Sequence, residues 1–147
     1  MFKDWPLSVR RLLEATNPAA IITTACFDRP PTTRWGRGRI TLVGDAAHPM
    51  TPNLGQGGGQ AIESAVVLGR VLEETTDLEA GFRHYESLRH KRANAFVRQS
   101  FQVGRLAQFK NPLARGLRNL VAGMTPAALS RKSLLKLYDF EGWYERK

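Results

Sequence analysis

The sequence has little or none of several features that mark particular classes of protein. Its one cysteine, Cys26, cannot form an internal disulfide and stands in no metal-type spacing, so we interpret it as a small buried residue on a strand. The sequence has no apolar run of about 18 residues and no N-terminal signal pattern, so it indicates neither a membrane span nor export. A cytoplasmic location is therefore expected. The 147 residues, 42% of them hydrophobic, suffice for one compact domain.

Two common nucleotide-binding motifs are also absent. The dinucleotide fingerprint Gly-x-Gly-x-x-Gly requires a third glycine where Gln60 stands after Gly55 and Gly57. The phosphate loop requires a Gly-Lys-Ser/Thr ending that the sequence lacks. The glycines between residues 55 and 59 therefore belong to a different kind of site.

Positive charge is plentiful but unevenly distributed. Residues 76–147 hold fourteen Lys and Arg against six Asp and Glu, so +8 of the net charge of +9 lies there. Such a surface suits an anionic partner, whether nucleic acid, a membrane surface, a phosphorylated cofactor or an acidic domain. No helix-turn-helix, aromatic-basic RNA signature or strongly amphipathic basic stripe accompanies the charge, so we favour solvated helix charge and expect no nucleic-acid partner.

Local patterns predict short elements in the first third of the chain. Leucine spacing in residues 6–16 indicates a helix that Asn17-Pro18 ends, and the β-branched residues of 19–27 indicate a strand. Residues 28–38 have turn chemistry, with two adjacent prolines and two glycines. The apolar run at residues 40–43 predicts a second strand that is buried on both faces.

The remainder of the sequence predicts helices. Apolar spacing indicates one helix over residues 61–72, a long one over 77–109 and a short one ending at Gly123. A last helix is expected at 125–138, and the aromatic tail at 139–147 is expected to pack back on the body. The apolar stripe of the long helix, from which its basic residues mostly stand apart, is predicted to be core and consists of Phe82, Tyr85, Ala93, Phe96, Val103 and Leu106.

The segment between the second strand and the first of these helices has the properties of a ligand site. The strand ends in Gly44-Asp45, a loop with two prolines follows, and the next helix starts on the glycines of residues 57–59. The first turn of a helix has unpaired N–H groups and the positive end of the helix dipole, and both attract electron-rich oxygen. Because glycine has no Cβ, a flat or bulky ligand can touch the backbone there.

The stretch "GDAAHPMTPNLGQGGGQAIESAVVLGRVL" resembles the second FAD-binding motif of the flavoprotein monooxygenases of the p-hydroxybenzoate hydroxylase type, especially the salicylate hydroxylase and zeaxanthin epoxidase branches. The preceding "FDRPPTTRWGRGRITLVGD" resembles the approach to that motif, and together they cover about residues 24–72. The resemblance implies an α+β, mostly helical fold, in which two or three short strands complete the sheets of an FAD/NAD(P)-binding flavoprotein and long C-terminal helices follow. It divides the chain into the end of a substrate-binding region (1–38), the FAD motif (39–74) and a helical region (75–147).

The resemblance also assigns roles to residues of the motif. Asp45 would accept a hydrogen bond from a ribityl hydroxyl of FAD, Gly44 would let the chain turn close to the cofactor, and Pro52 would lie near the isoalloxazine edge. Backbone N–H groups would face the pyrimidine side of the flavin from Gly57, Gly58, Gly59 and Gln60.

Three neighbouring polar residues receive structural interpretations. His48 is expected to hold the loop in shape rather than to transfer protons, and Glu63 to make a local or inter-element hydrogen bond. Ser64 stands where the family commonly has aspartate, which puts in doubt the salt bridge made there. No catalytic residue and no metal ligand is assigned.

The implied activity is that of an FAD-dependent monooxygenase that uses NADH or NADPH and O₂ to hydroxylate or epoxidise a small organic substrate. The sequence contains neither the Gly-x-Gly-x-x-Gly half nor the middle region that such enzymes use for substrate. The chain is therefore expected to be the C-terminal portion of such an enzyme, to bind FAD weakly or not at all by itself, and to self-associate through uncovered apolar strands. The alternative is a non-catalytic remnant or an interaction module with a basic helical face.

Overall fold

The chain is mostly helical. The computed structural model describes residues 2–126, 131–132, 135 and 138–140. Four α-helices are assigned within these residues: α1 (Leu7–Ala15), α2 (Gly57–Glu74), α3 (Leu78–Ala107) and α4 (Pro112–Met124). Short 3₁₀ turns occur at Pro18–Ala20, Gly44–Ala46 and Pro52–Leu54. The predicted last helix and aromatic tail lie largely outside the described residues, and within the part that is described no helix has the length and apolarity needed to cross a membrane.

Side-chain caps fix where α3 and α4 begin. The Asp77 carboxylate accepts the backbone N–H groups of Glu79 and Ala80 at 2.9 and 3.1 Å. The Asn111 side chain does the same for the first turn of α4, where Pro112 supplies a backbone angle suited to helix initiation. In contrast, no side chain caps α2.

The core lies where α2 and α3 pack against the loop that precedes them. Only residues 75–77 separate the two helices, so α3 folds back along α2. The loop contributes the buried Trp35, whose ring lies 5.9 Å from that of Tyr85 on α3. Phe140 packs against the same cluster, as expected for that residue of the tail. The buried members of the cluster are Trp35, Ala47, Val67, Val71, Tyr85 and Ala93.

Neither predicted strand is present in the residues that the structure describes, so these two predictions are not confirmed. Residues 19–27 and 40–43 contain no β-strand, and the pairing there is a single antiparallel bridge between Arg37 and Ile40. A β-strand is held by hydrogen bonds to a neighbouring strand, and the described part of the chain supplies none. The apolar side chains of the first segment are consequently exposed, with Ile22 at 87% and Phe27 at 85% of their possible surface.

Burial in these two segments also differs from expectation. Cys26, predicted to be buried on a strand, is exposed. Ile40 is 68% exposed, whereas Leu42 and Val43 are partly buried against the core, so the second segment is covered only toward its end.

The stripe of α3 is core only along part of the helix. Tyr85, Ala93 and Phe96 are buried, whereas Val103 and Leu106 are exposed. At about 1.5 Å per residue, α3 with 30 residues is roughly 18 Å longer than α2 with 18 residues, so its last turns extend past the start of α2. The loop at Pro52–Leu54 packs against α3 instead of α2.

Candidate functional site

The first turn of α2, which we call the glycine turn (residues 57–60), presents free backbone donors. The first backbone hydrogen bond of this helix runs from the N–H of Gln60 to the carbonyl of Gln56 at 2.9 Å. The N–H groups of Gly57, Gly58 and Gly59 precede it and therefore have no acceptor within the helix. With no side-chain cap either, these donors and the positive helix end remain available to a ligand oxygen.

The protein's own packing does not require glycine at residue 58 or 59. A Cβ built on Gly58 comes within 4 Å of no described residue outside the backbone of its own helix turn, and one on Gly59 lies 3.5 Å from Gln56 Oε1. Both residues are exposed. Glycine at these positions therefore keeps the surface beside the free N–H groups open.

Asp45 lies in the 3₁₀ turn that packs directly against α2. Gly44 has φ +62°, a conformation that L side chains rarely adopt, and a Cβ there would lie 3.3 Å from that of Ala61 on α2. The turn is held from outside by Arg29, whose Nη2 donates to the carbonyls of Ala46 and Ala47 at 2.9 and 2.6 Å. Asp45 itself is exposed, and its carboxylate has no hydrogen-bonding partner among the residues the structure describes.

The loop around Pro52 is fastened to α3. The Ser100 hydroxyl donates to the Thr51 carbonyl at 2.5 Å, and the Asn53 amide donates to the Ser100 carbonyl at 3.1 Å. Pro52 is exposed between these two attachments. The loop ends at Gly55, whose φ of +62° allows the chain to turn into α2.

A buried polar network lies beneath the glycine turn. Arg89 of α3 is fully buried, and its Nη2 donates to Gln60 Oε1 at 2.8 Å and to the Gln60 carbonyl at 3.3 Å. Its Nη1 donates to Glu63 Oε2 at 2.9 Å, and its Nε donates to Ser64 Oγ at 3.2 Å. Arg92 binds both oxygens of the same Glu63 carboxylate, at 2.9 and 3.0 Å. The guanidinium of Arg89 therefore connects α3 to the start of α2.

His48 completes this network on the side of the loop. Its Nε2 lies 3.0 Å from Ser64 Oγ, and its ring lies 5.5 Å from that of Trp35. Burial lowers the pKa of His48 below its usual value, and the positive charge of Arg89 lowers it further, against opposing contributions that include Asp45 and Glu63. A buried histidine kept neutral in this way suits a structural role, as the sequence predicts.

The structure brings the predicted site residues to one end of α2. The glycine turn starts the helix, the turn with Gly44 and Asp45 packs on it, and the loop with Pro52 leads into it. Glu63 makes the inter-element hydrogen bonds predicted for it, to Arg89 and Arg92. At Ser64 a hydrogen bond to Arg89 replaces the doubtful salt bridge.

Sequence reasoning missed Arg89, which it placed among the basic residues off the apolar stripe. The signal was present, because Arg89 stands four residues after Tyr85 and four before Ala93 and therefore shares their buried face. It also missed Arg29 and Ser100. Arg29 donates to a backbone carbonyl of a later loop and Ser100 to one of an earlier loop, and no sequence pattern marks such bonds.

Comparisons with known proteins point to one cofactor. A family model described as an FAD binding domain matches residues 16–100. The crystal structure of a Klebsiella pneumoniae HpxO variant complexed with FAD matches with a TM-score of 0.83 at 30% identity, over 92% of this chain and 36% of that one.

Curated relatives agree. The chain is 44% identical over 123 residues to the aurachin C monooxygenase/isomerase of Stigmatella aurantiaca, covering 84% of this chain and 32% of that protein. It is 44% identical over 102 residues to the chloroplastic zeaxanthin epoxidase of Solanum lycopersicum, covering 63% of this chain and 15% of that protein. The chain thus spans about a third or less of the length of these relatives.

The lowered pKa of His48 makes stability depend on pH. The unfolded chain takes up a proton near pH 6.5 whereas the folded one resists it, so this contribution to stability is complete above about pH 6.5 and is lost as the pH falls toward the lowered value. We expect the free energy of unfolding, measured with denaturant, to fall between about pH 7.5 and about pH 5.5. His48→Gln should reduce that fall, with the exposed His84→Gln as the matched control. An equal fall in His48→Gln and the parent chain would contradict this.

Proposed function

We propose that the glycine turn and Asp45 of this chain bind the isoalloxazine and ribityl parts of FAD. The chain belongs to the family of FAD-binding domains of FAD-dependent monooxygenases. The observation that carries the proposal is the uncapped start of α2, where three consecutive N–H groups lie beside glycines that the protein's own packing does not require.

The residues present fit the chemistry of a flavin. The pyrimidine side of the ring has carbonyl acceptors that gain negative charge on reduction, and a helix N-terminus stabilises such charge by about 0.3–2 kcal/mol. Asp45 is an exposed carboxylate to which no described residue is hydrogen bonded, and it suits a ribityl hydroxyl donor. Pro52, fixed between two attachments to α3, suits an edge contact with the ring.

The proposed activity of the whole protein is monooxygenation of a small organic substrate. Bound FAD supplies the redox chemistry, with NADH or NADPH as reductant and O₂ as oxidant. Residues 39–74 of this chain bind the flavin, residues 1–38 form the end of the substrate-binding region, and residues 75–147 are the C-terminal helical region. One relative is named for aurachin C and another for zeaxanthin, so the substrate of this protein is left unassigned. A cytoplasmic location stays a prediction from the sequence.

A second candidate function is that of an interaction module. The segment at residues 19–27, which the sequence predicts as a strand, has exposed apolar side chains that favour this function. They include Ile21, Ile22 and Phe27. Several large apolar side chains exposed within one short segment are typical of a surface that another polypeptide covers.

FAD binding can be tested on the chain itself by NMR titration, which detects weak complexes. We expect FAD and FMN, but not ADP, to shift the amide signals of Asp45 and the glycine turn. Gly58→Val should abolish these shifts, because its side chain would occupy the ligand's place, whereas a Cβ at this position contacts no described residue elsewhere in the chain. Gly69→Val lies on the same helix, also in open space, and should retain them. Equal responses from the two variants would contradict the proposal.

Asp45 should act on affinity alone. Asp45→Ala removes a charge-assisted hydrogen bond and should weaken FAD binding about 10- to 150-fold, whereas Asp45→Asn keeps an acceptor and should lose less. Because the carboxylate acts at the ribityl chain, the reduction potential of the bound flavin, measured at saturation, should stay nearly unchanged. A wild-type affinity in Asp45→Ala would remove Asp45 from the site.

Self-association should follow if the apolar segment is uncovered in solution. Light scattering on the chain at micromolar concentrations should show oligomers, and replacing Ile22 and Phe27 together by lysine should reduce them, since a buried charge opposes association. Replacing the exposed Thr23 and Thr24 by lysine adds the same charge without removing apolar surface and serves as the control. A monomeric parent chain would contradict this prediction.

A further inference from the structure

We propose that Arg89 is a positioning residue, which holds the glycine turn from below through Gln60 and so fixes where the free N–H groups of Gly57, Gly58 and Gly59 lie. This role deepens the proposed function and rests on it, since it concerns the placement of the turn that would face the flavin. None of the atoms of Arg89 is exposed, so it acts through Gln60 rather than by touching a ligand.

The contacts of Arg89 converge on the first turns of α2. One guanidinium nitrogen, Nη2, donates to both the backbone carbonyl and the side-chain oxygen of Gln60. The other two nitrogens donate to Glu63 and Ser64, one turn further along the helix. Because the guanidinium is planar and rigid, these bonds fix both the distance and the rotation of α2 relative to α3.

Gln60 is held in one orientation by this arrangement. A guanidinium can only donate hydrogen bonds, so the amide oxygen of Gln60 must face Arg89 and its Nε2 must point away. That nitrogen is buried and has no acceptor among the residues the structure describes. Two hydrogen bonds from Arg89 Nη2 therefore set the orientation of the Gln60 side chain.

The network around Arg89 contains more positive than negative charge. Glu63 provides the ion-pair partner of Arg89 and is shared with Arg92, while Ser64 offers a neutral hydroxyl to Arg89 Nε. Burial lowers the pKa of the Arg89 guanidinium, and the Glu63 carboxylate opposes that effect. Arg89 and Arg92 thus share a carboxylate, but Arg89 is the one that contacts Gln60, which makes the two arginines a matched pair for experiment.

The test compares Arg89→Lys with Arg92→Lys in the full chain. Lysine keeps the positive charge but has one nitrogen in place of the three separate nitrogens from which Arg89 bonds Gln60, Glu63 and Ser64. Without FAD, Arg89→Lys should raise the amide exchange rates of Gln60 and Ala61 about tenfold or more, because hydrogen bonds to a charged group are lost there. Arg92→Lys should leave these rates unchanged. Wild-type exchange at Gln60 and Ala61 in Arg89→Lys would overturn the proposal.

With FAD bound, the experiment separates an Arg89 that only stabilises the fold from an Arg89 that also sets the position of the glycine turn. If Arg89 sets the place of the turn, Arg89→Lys should weaken FAD binding about tenfold or more and change the reduction potential of the bound flavin, whereas Arg92→Lys should keep both. Should the potential stay at the wild-type value in both variants, Arg89 supports the fold only and the positioning role is wrong.

A second variant, which strengthens the contact between residue 60 and Arg89, provides a test that still applies if Arg89→Lys does not fold. Gln60→Glu offers Arg89 a carboxylate oxygen in place of the amide oxygen, so exchange at Ala61 should slow. Unchanged or faster exchange would overturn the proposal. A parent chain that gives no response to FAD would reject the proposed function and the positioning role together, whereas a normal response to FAD with no effect of either variant rejects the positioning role alone.

Discussion

The burial of one guanidinium between two helices is the constraint on which the rest of this structure depends. Arg89 leaves water completely, and such a charge is tolerated only where it is paired and fully hydrogen bonded. Gln60, Glu63 and Ser64, which accept hydrogen bonds from it, lie in the first turns of α2, so the need to satisfy it fixes α2 against α3. Removing one partner from a buried pair of this kind typically costs about 3–5 kcal/mol, which is comparable with the whole stability of a small domain.

The same constraint explains how α2 can start without a cap. Asp77 and Asn111 satisfy the first N–H groups of α3 and α4, whereas three successive glycines at the start of α2 leave theirs unpaired. Glycine also disfavours helix by about 1 kcal/mol relative to alanine. Arg89 from one side and the attachments of Thr51 and Asn53 to Ser100 from the other supply the order that the local sequence does not. A turn that is both open and rigid is what recognition of a flat ligand requires.

Asp45 and the glycine turn come from different segments, and the turn with Asp45 packs against α2 while the loop between them is held at both ends. Arg29 fixes the carbonyls just after Asp45, and Ser100 fixes the chain just before Pro52. His48 lies between these attachments, buried against Trp35 and kept neutral by its surroundings. The loop therefore has a polar interior that shapes it and an exposed outer side with Asp45 and Pro52.

The sequence by itself determined the family, the cofactor and the helices, because these follow from local patterns. The order of residues 44–60 carries the motif, apolar spacing marks α2 and α3, and Asn111-Pro112 marks the start of α4. Only the tertiary structure decided the state of residues 19–27 and 40–43, since β-branched residues form a strand only beside another strand, and the described part of the chain has none to offer. It also decided the role of Arg89, because the partners of a buried charge come from another helix and no local pattern specifies which ones they are.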